Sequence, residues 1–582
     1  MRPLHAAALL YLLLAAALVA PVLPDPTRLA LGHPNNDVWN HVWGFGFVAR
    51  ALLAGELPIR ADELVWPVGG RLWFIDTFNA VLTLPAQLAW GPVAAYNLSC
   101  FANLALCGLG AHLLARAVTG SDGGAVFAGV AYMTAPHLLG QAYNGISETL
   151  AAGWLPLALL AARAAFAEPT PRRAAIAGLA FGVNAVANWY YGLFAGLALA
   201  GMVLWGVVHG WRALAPLRAA GLLAVGVAVC AVVMVGPFGL FLSTMEAEDA
   251  VVTRDPGFVW MTLVMHNMTD LVSLLRPGRF YSPDLKAMFD EDLIVVVYLG
   301  WALVLPALAA LWSTRARDAS RAAWMTALYL SLSLGPFLYV GGAYVDVAGR
   351  WIPLPFLFLF RAFPLFSRIS HAYRFAIGAT LGLALLGAWA VRAAERRGAG
   401  AWALVAALCV ARVVETAAFS PAHVPIPTAT FAPHAVYAQL DGGAVLDLPI
   451  TMPVLSRARW IANQLVHGEA VPYGLNDPLP LYLYVNRYTR YLVELERSPI
   501  AMLPPQLPVL DLVAAQAELR DRGLRWIVVN KARYPAPTVG KISRFLDLSA
   551  TPVFDDTELR VYVLDAPGGA ADGQPAVYPS GR

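Results

Sequence analysis

Charge is what this sequence has least of. Asp, Glu, Lys and Arg make up 13% of its 582 residues, against about 25% in an ordinary globular domain. Forty Lys and Arg nearly balance 37 Asp and Glu, for a formal charge of +3. With no long basic run and no nucleic-acid motif, a nucleic-acid partner is not expected. Cysteine is scarce as well. Cys100, Cys107, Cys230 and Cys409 all lie in apolar runs without metal-ligand spacing, so they read as small packing residues. None follows residue 409, which excludes a disulfide staple in the C-terminal part. No internal or inverted repeat is found.

Apolar residues fill the space that charge leaves. They are 59% of the chain, and mean hydropathy is +0.60. They gather in runs of roughly 17–25 residues, the length that crosses a bilayer core as a helix. The runs predict about eleven membrane-spanning helices, near 5–23, 95–117, 123–139, 148–166, 174–188, 191–210, 217–242, 292–312, 322–341, 374–391 and 401–419. The first is long for a signal peptide and reads as an uncleaved span. The stretch 78–91 is short and carries Pro85, so it reads as re-entrant or interfacial. Arg2, Arg116, Arg163, Arg172, Arg173, Arg212, Arg218, Arg315, Arg317, Arg321, Arg392, Arg396 and Arg397 fall on one side in this count. Positive loops face the cytoplasm, which puts the N-terminus there. The loops 24–94, 243–291 and 342–373 and everything after 420 then lie outside.

The expected fold class is therefore an all-α polytopic membrane domain over 1–419, followed by a small α/β domain over 420–582. In the latter, Ala444–Ile450, Arg525–Asn530 and Leu559–Asp565 read as strands. Asp511–Arg522 reads as a helix capped at Asp511 and stopped at Gly523. The Gly-, Pro- and Ala-rich tail from about 567 reads as disordered.

One segment carries most of the chemical information: Gly32-His-Pro-Asn-Asn-Asp37-Val-Trp-Asn-His41-Val-Trp-Gly-Phe. From Asp37 it has the pattern of an interfacial helix of about five turns that ends at Gly55 and Pro58. Asp37 and His41 are one turn apart and share a face. Asp37 fits a helix N-cap or a general base beside a lipid headgroup. His41 fits a tuning or phosphate-binding role, or plain placement at the interface.

This segment, its continuation Ala51-Leu-Leu-Ala-Gly-Glu-Leu-Pro58 and then Trp66-Pro-Val-Gly-Gly70 resemble the first outer loop of the GT-C superfamily. Those are polytopic glycosyltransferases that use polyprenyl-phosphate-linked sugars. The resemblance extends to Ala135-Pro-His-Leu-Leu-Gly-Gln-Ala-Tyr-Asn-Gly-Ile-Ser-Glu148 and to Phe360-Arg-Ala-Phe-Pro-Leu-Phe-Ser-Arg-Ile-Ser-His-Ala-Tyr-Arg-Phe375. It also takes in the tail segments Leu446-Asp-Leu-Pro449, Asn463-Gln-Leu-Val-His-Gly468 and Arg525-Trp-Ile-Val-Val-Asn530. It implies an inverting sugar transfer from a polyprenyl-phosphate donor to a glycan, lipid or protein acceptor, on the outer face of a bacterial inner membrane. Asp37 would be the base.

The family often pairs two acids in this loop, whereas Asn36 stands before Asp37. No cofactor is therefore certain, and a divalent metal ion stays open. Arg361, Arg368 and Arg374 are candidate partners for the leaving lipid phosphate, with His371 among them. Arg361 and Arg368, seven apart, would share a face if helical. His266 is a further candidate in the loop 243–291. Asp76 and Glu148 are secondary candidates, since each also suits the start of a helix. Trp189, Tyr190 and Tyr191 read as an aromatic belt. Two other readings remain open: a non-enzymatic envelope or assembly protein on the same scaffold, and a lipid-linked glycan transporter or flippase. The latter usually carries charges near the middle of its spans, which are nearly absent here.

Overall fold

The computed structural model describes residues 2–208, 216–252, 256–276, 293–398, 400–419, 422, 424–476, 480–498 and 509–564. The expected tail from about 567 lies outside the described residues. The chain forms two compact units. One comprises Met1–Ala49, Phe74–Ser243 and Arg254–Phe431; the other comprises Arg50–Trp73, Thr244–Thr253 and Ala432–Arg582.

The first unit is mostly helical, as apolar surroundings demand of a backbone that must satisfy its own polar groups, but it is not all-α: Leu29–Leu31 pairs with Thr428–Thr430, Tyr339–Val340 with Ala343–Tyr344, and Asp346–Val347 with Arg350–Trp351. Six described segments are long and apolar enough to cross a membrane: Leu4–Val22, Leu84–Thr119, Ser147–Ala167, Arg218–Met245, Ala372–Glu395 and Ala401–Phe419. Trp189–Leu204 and Trp301–Ser313 are shorter apolar helices. The stretch expected to be a separate re-entrant piece is a short helix, Thr77–Leu82, followed by a helix from Leu84 that continues through the predicted span to Thr119. Its kink lies at Gly91, whose φ of 85° opens the ladder just before Pro92.

Two predicted spans are broken, and a third, 322–341, is helical only to Ser333 and gives way to the strand Tyr339–Val340. The run 123–139 divides into Asp122–Met133 and Pro136–Asn144, with Pro136 opening the second helix. The run 292–312 is helical only from Trp301, and Ile294–Leu299 is buried but not helical. Hydropathy missed this because those residues are uniformly apolar. Their backbone is satisfied by side chains from other segments. Asn144 accepts from Ile294 N (2.9 Å) and donates to Ile294 O (2.7 Å). His137 Nδ1 lies 3.0 Å from Val296 O, and Arg412 donates to Leu299 O at 2.6 Å.

Glycine sets the next contact. Gly145 ends the helix Pro136–Asn144 with φ 76°, and a Cβ on it would fall 2.6 Å from Val38 Cα. Segment 32–38 is thereby pressed on that helix end. Asp37 N donates to Asn144 O (3.0 Å), and Tyr96 Oη bridges Leu31 O (2.7 Å) and Gly145 O (3.2 Å).

The second unit is α/β and is not the C-terminal stretch alone. Its four-stranded sheet runs Ala444–Leu448, Leu524–Asn530, Leu559–Val563, Thr551–Asp555, with the first pair parallel and the others antiparallel. Val445, Trp526, Val528, Val561 and Val563 share one buried cluster. The helix is Val509–Asp521, starting two residues before the expected cap at Asp511. The predicted boundary at 420 gives way to one at Ala432, and two remote stretches join the unit. Val471 N donates to Glu63 O (2.8 Å) and Trp66 N to Val471 O (3.0 Å). Arg71 exchanges backbone bonds of 2.9 Å with Asp249 and Val251. A Cβ on Gly70 would meet Asp249 O at 2.1 Å, so Gly70 seats the chain at Asp249.

Three of the quoted tail segments converge on Asp447. It is fully buried, and its carboxylate accepts from Tyr437 Oη and from Asn530 Nδ2 (3.2 Å). Burial pushes its carboxyl up to about 7, against the opposing pull of hydrogen bonds from Tyr437, Asn530 and Asn463. The folded value lies above the unfolded one, so the folded state holds the extra proton. This contribution is complete at low pH and is lost as pH rises through about 7. Asp447→Asn should therefore flatten the pH dependence. From pH 5 to pH 8 its unfolding free energy should gain roughly 1–3 kcal/mol on the wild type, read from thermal unfolding of the full chain at both values.

Candidate functional site

The helix Val38–Leu53 starts just after Asp37 and presents His41 one turn later. Its first three turns are almost wholly buried because Trp39, Val42, Trp43, Phe45 and Phe47 surround the axis. Gly44 admits Phe74, whose ring would lie 2.1 Å from a Cβ there. Phe74 packs edge-on against His41, with centroids 5.8 Å apart. It thereby holds the imidazole and brings the following Asp76 alongside.

His41 sits among three carboxylates. Nε2 lies 3.8 Å from Asp37 Oδ2 and 3.4 Å from Glu148 Oε2, and Nδ1 lies 3.8 Å from Asp76 Oδ2. Ser147 links two of these groups. Its hydroxyl is 3.0 Å from His41 Nδ1 and donates to Asp76 Oδ2. A hydroxyl has one proton to give, so Nδ1–H must be the donor to Ser147 Oγ. Nε2 then faces two further acceptors, which favours a proton there too, giving the imidazolium.

Burial alone would lower the His41 value. The hydrogen-bonded network to Asp76 and the charges of Glu148, Asp37 and Asp76 outweigh it and push it up to about 9. The stability this adds is complete below the ordinary histidine range and is lost as pH climbs through about 9. The pH profile of whatever this site does should carry an alkaline limb near pH 9, and His41→Gln should abolish that limb.

The three acids are not equivalent. Asp76 accepts from Asn79 Nδ2 (2.6 Å) and is fully enclosed. It stands before the helix Thr77–Leu82 but makes no side-chain capping bond to it, so capping does not account for it. Glu148 lies in the 3-10 segment Ser147–Gly153, and its Oε1 is 3.6 Å from Arg374 Nη1. The Arg374 guanidinium lies over the Tyr190 ring, 4.9 Å from its centroid. Asp37 accepts from Asn40 Nδ2 (2.6 Å), and its side chain is 15% exposed, against 0% for Asp76 and 2% for Glu148. Asp37 is the most exposed of the three.

The structure thus brings together Asp37, His41, Asp76, Glu148 and Arg374 from four separated stretches. It does not join the other candidates to them by any described contact. Arg361 closes the helix Pro355–Ala362 and Arg368 lies in a separate turn, Phe366–Arg368. Pro364 separates them, so the shared helical face expected from their spacing is not formed. Both are exposed. His371 Nδ1 is 2.7 Å from Ser370 Oγ, and His266 is buried one residue from Asn267, which donates to Ser370 O (2.7 Å).

Tyr190 and Tyr191 are buried rather than belt residues, because the break at Asn188 turns them inward. Sequence reasoning missed Ser147, Asn40, Asn79 and Tyr190. Ser147 had a visible signal in its place beside Glu148; the Asn residues are three positions after an acid, at helical spacing.

A divalent ion does not fit this donor set. Among the described residues no group of three or more His, Cys, Asp and Glu is arranged to hold a metal ion. The space between the carboxylates is taken by the His41 ring, and the position before Asp37 is Asn36, whose amide donates to Asn144 Oδ1 (3.1 Å).

This is an integral membrane protein with the fold of the GT-C glycosyltransferases. The oligosaccharyltransferase of Archaeoglobus fulgidus in its apo form superposes with a TM-score of 0.52 at 13% identity, covering 96% of this chain and 74% of that one. The same enzyme tethered to an acceptor peptide containing the NVT sequon gives 0.51 at 13%, with the same coverage. ArnT from Cupriavidus metallidurans in the apo state gives 0.49 at 15%, covering 96% and 98%. No protein-family model and no curated protein matches the chain. At such identities the likeness fixes the fold, and the reaction must be argued from the site.

Proposed function

We propose that the protein transfers a sugar from a polyprenyl-phosphate-linked donor to an acceptor on the extracytoplasmic side of the membrane. The observation that carries this is Asp37: a partly exposed carboxylate backed by a buried cationic histidine, in a GT-C fold. Asp37 takes the proton of the acceptor hydroxyl. The acceptor oxygen bonds to the anomeric carbon as the bond from that carbon to the lipid phosphate breaks, with inversion. Arg361 and Arg368, both exposed cations, are our candidates for the groups that meet the departing anionic phosphate. Asp76, Glu148 and Arg374 hold His41 and do not touch the reactants.

The placement of charge within spans supports surface chemistry over passage. Glu148 and Arg374 lie in the opening turns of Ser147–Ala167 and Ala372–Glu395, whose far ends are followed by Arg172 and Arg173, and by Arg396 and Arg397. The positive-inside rule favours cytoplasmic far ends, which supports a site on the outer side.

The test is expression of the wild type and Asp37→Asn in a bacterial host, with glycolipids and surface glycans compared by mass spectrometry. A hexose- or pentose-sized gain with the wild type alone is expected. The same gain with both proteins would leave an enzyme whose base is another residue.

A further inference from the structure

The quarrel between this donor set and a divalent ion has a specific chemical reading. We infer that His41 is the built-in cation of this site: the imidazolium fills the place between Asp37, Asp76 and Glu148 and makes the centre independent of divalent metal. The inference rests on the transferase reading for its catalytic meaning, but its geometry stands alone.

A hard divalent ion draws carboxylate oxygens to about 2.0–2.6 Å. Here the oxygens of Asp37 and Glu148 instead converge on Nε2 at 3.8 and 3.4 Å, and Asp76 meets Nδ1 through Ser147. The other oxygen of each carboxylate also has a partner. Asp37 Oδ1 takes Asn40, Asp76 Oδ1 takes Asn79, and Glu148 Oε1 takes Arg374. Each carboxylate is therefore oriented by one neutral or cationic donor and shares the central ring. The ring cannot drift, because Phe74 lies against it and Gly44 leaves Phe74 room to do so.

An imidazolium at this place does two things that a metal ion would do. It sets a positive charge 3.8 Å from Asp37 Oδ2, and together with Asn40 on Oδ1 it fixes the orientation of that carboxylate. It carries less charge than a divalent ion and cannot ligate the sugar phosphate. The phosphate must then be met by other cations, which is consistent with two exposed arginines on the segment 361–368. His41 is thus a positioning residue that works through Asp37.

The experiment is manganese(II) binding to the purified full chain, read from the EPR signal of the free ion, with no sugar donor present. The wild type should leave the signal of free manganese unchanged. His41→Ala should capture the ion, because three carboxylates would then face an empty, hydrated space. His41→Asn serves in its place if the alanine variant fails to fold. Manganese capture by the wild type, relieved by Asp37→Asn or Glu148→Gln, would overturn the inference, since the imidazole would then be a ligand or would move aside. Failure of both His41 variants to capture manganese would also overturn it, because something other than His41 would be excluding the ion. Glycan changes play no part in this readout, so a failed transferase reading and a failed cation reading are told apart.

Discussion

Asp37→Asn should abolish transfer and leave the protein folded. Loss of a positioned general base costs about 10²- to 10⁴-fold in rate, and the variant should lie toward the upper end because the neighbouring acids offer no substitute. Asp76 is fully enclosed and bonded to Asn79 and Ser147, and Glu148 is tied to Arg374. Neither can swing to the exposed edge. Stability should fall only modestly, because His41 loses the most exposed of its three carboxylates and keeps Asp76 and Glu148. An asparagine oxygen still accepts from Asn40, and the backbone bond from Asp37 N to Asn144 O needs no side chain. The measurement is the transfer rate together with the thermal midpoint in detergent. Retained turnover at an unchanged midpoint would reduce Asp37 to the residue that starts a helix.

How far the site was legible follows from how it is assembled. The turn from Asp37 to His41 is local, and one helical turn of spacing reveals it. Asp76, Glu148 and Arg374 reach His41 through tertiary packing set by Gly145 against Val38 and by Phe74 in the notch at Gly44. Nothing in the local pattern at Asp76 or Glu148 distinguishes such a partner from a helix-starting acid. Runs of apolar residues revealed most helices, but not their breaks at Thr134–Ala135 and Ile294–Leu299. At Ile294–Leu299 the deciding residues are Asn144, His137 and Arg412, which sit far away in sequence and replace a helical ladder with side-chain bonds. The soluble strands were legible because they alternate with turn signals. Thr551–Asp555 escaped because Pro552 hides an edge strand. That Arg50–Trp73 belongs to the same unit could not be read at all, since backbone hydrogen bonds such as Trp66 to Val471 have no side-chain signature.

The ion pair of Arg374 and Glu148 should have the largest effect on stability. Both groups are enclosed, with side-chain exposures of 9% and 2%, and their separation is 3.6 Å. Breaking such a pair by removing one partner strands a buried charge and costs about 3–5 kcal/mol. Arg374→Met removes the guanidinium from Glu148 and also its stacking on Tyr190, so this single change should be the worse one. In Glu148→Gln the arginine keeps the face of Tyr190, and the loss should be smaller. The double variant leaves neither charge behind, so it should be more stable than Arg374→Met alone, with a coupling of roughly 1–3 kcal/mol in a double-mutant cycle of unfolding free energies. Transfer should not return with stability. His41 would lose Glu148, one of the three carboxylates that favour its proton, and the alkaline limb should move to lower pH. A double variant that is stable yet shifted in its pH–rate profile would separate the two duties of the pair, packing the first unit and holding the charge on His41. A double variant no more stable than Arg374→Met, with coupling near zero, would mean that the two side chains act independently.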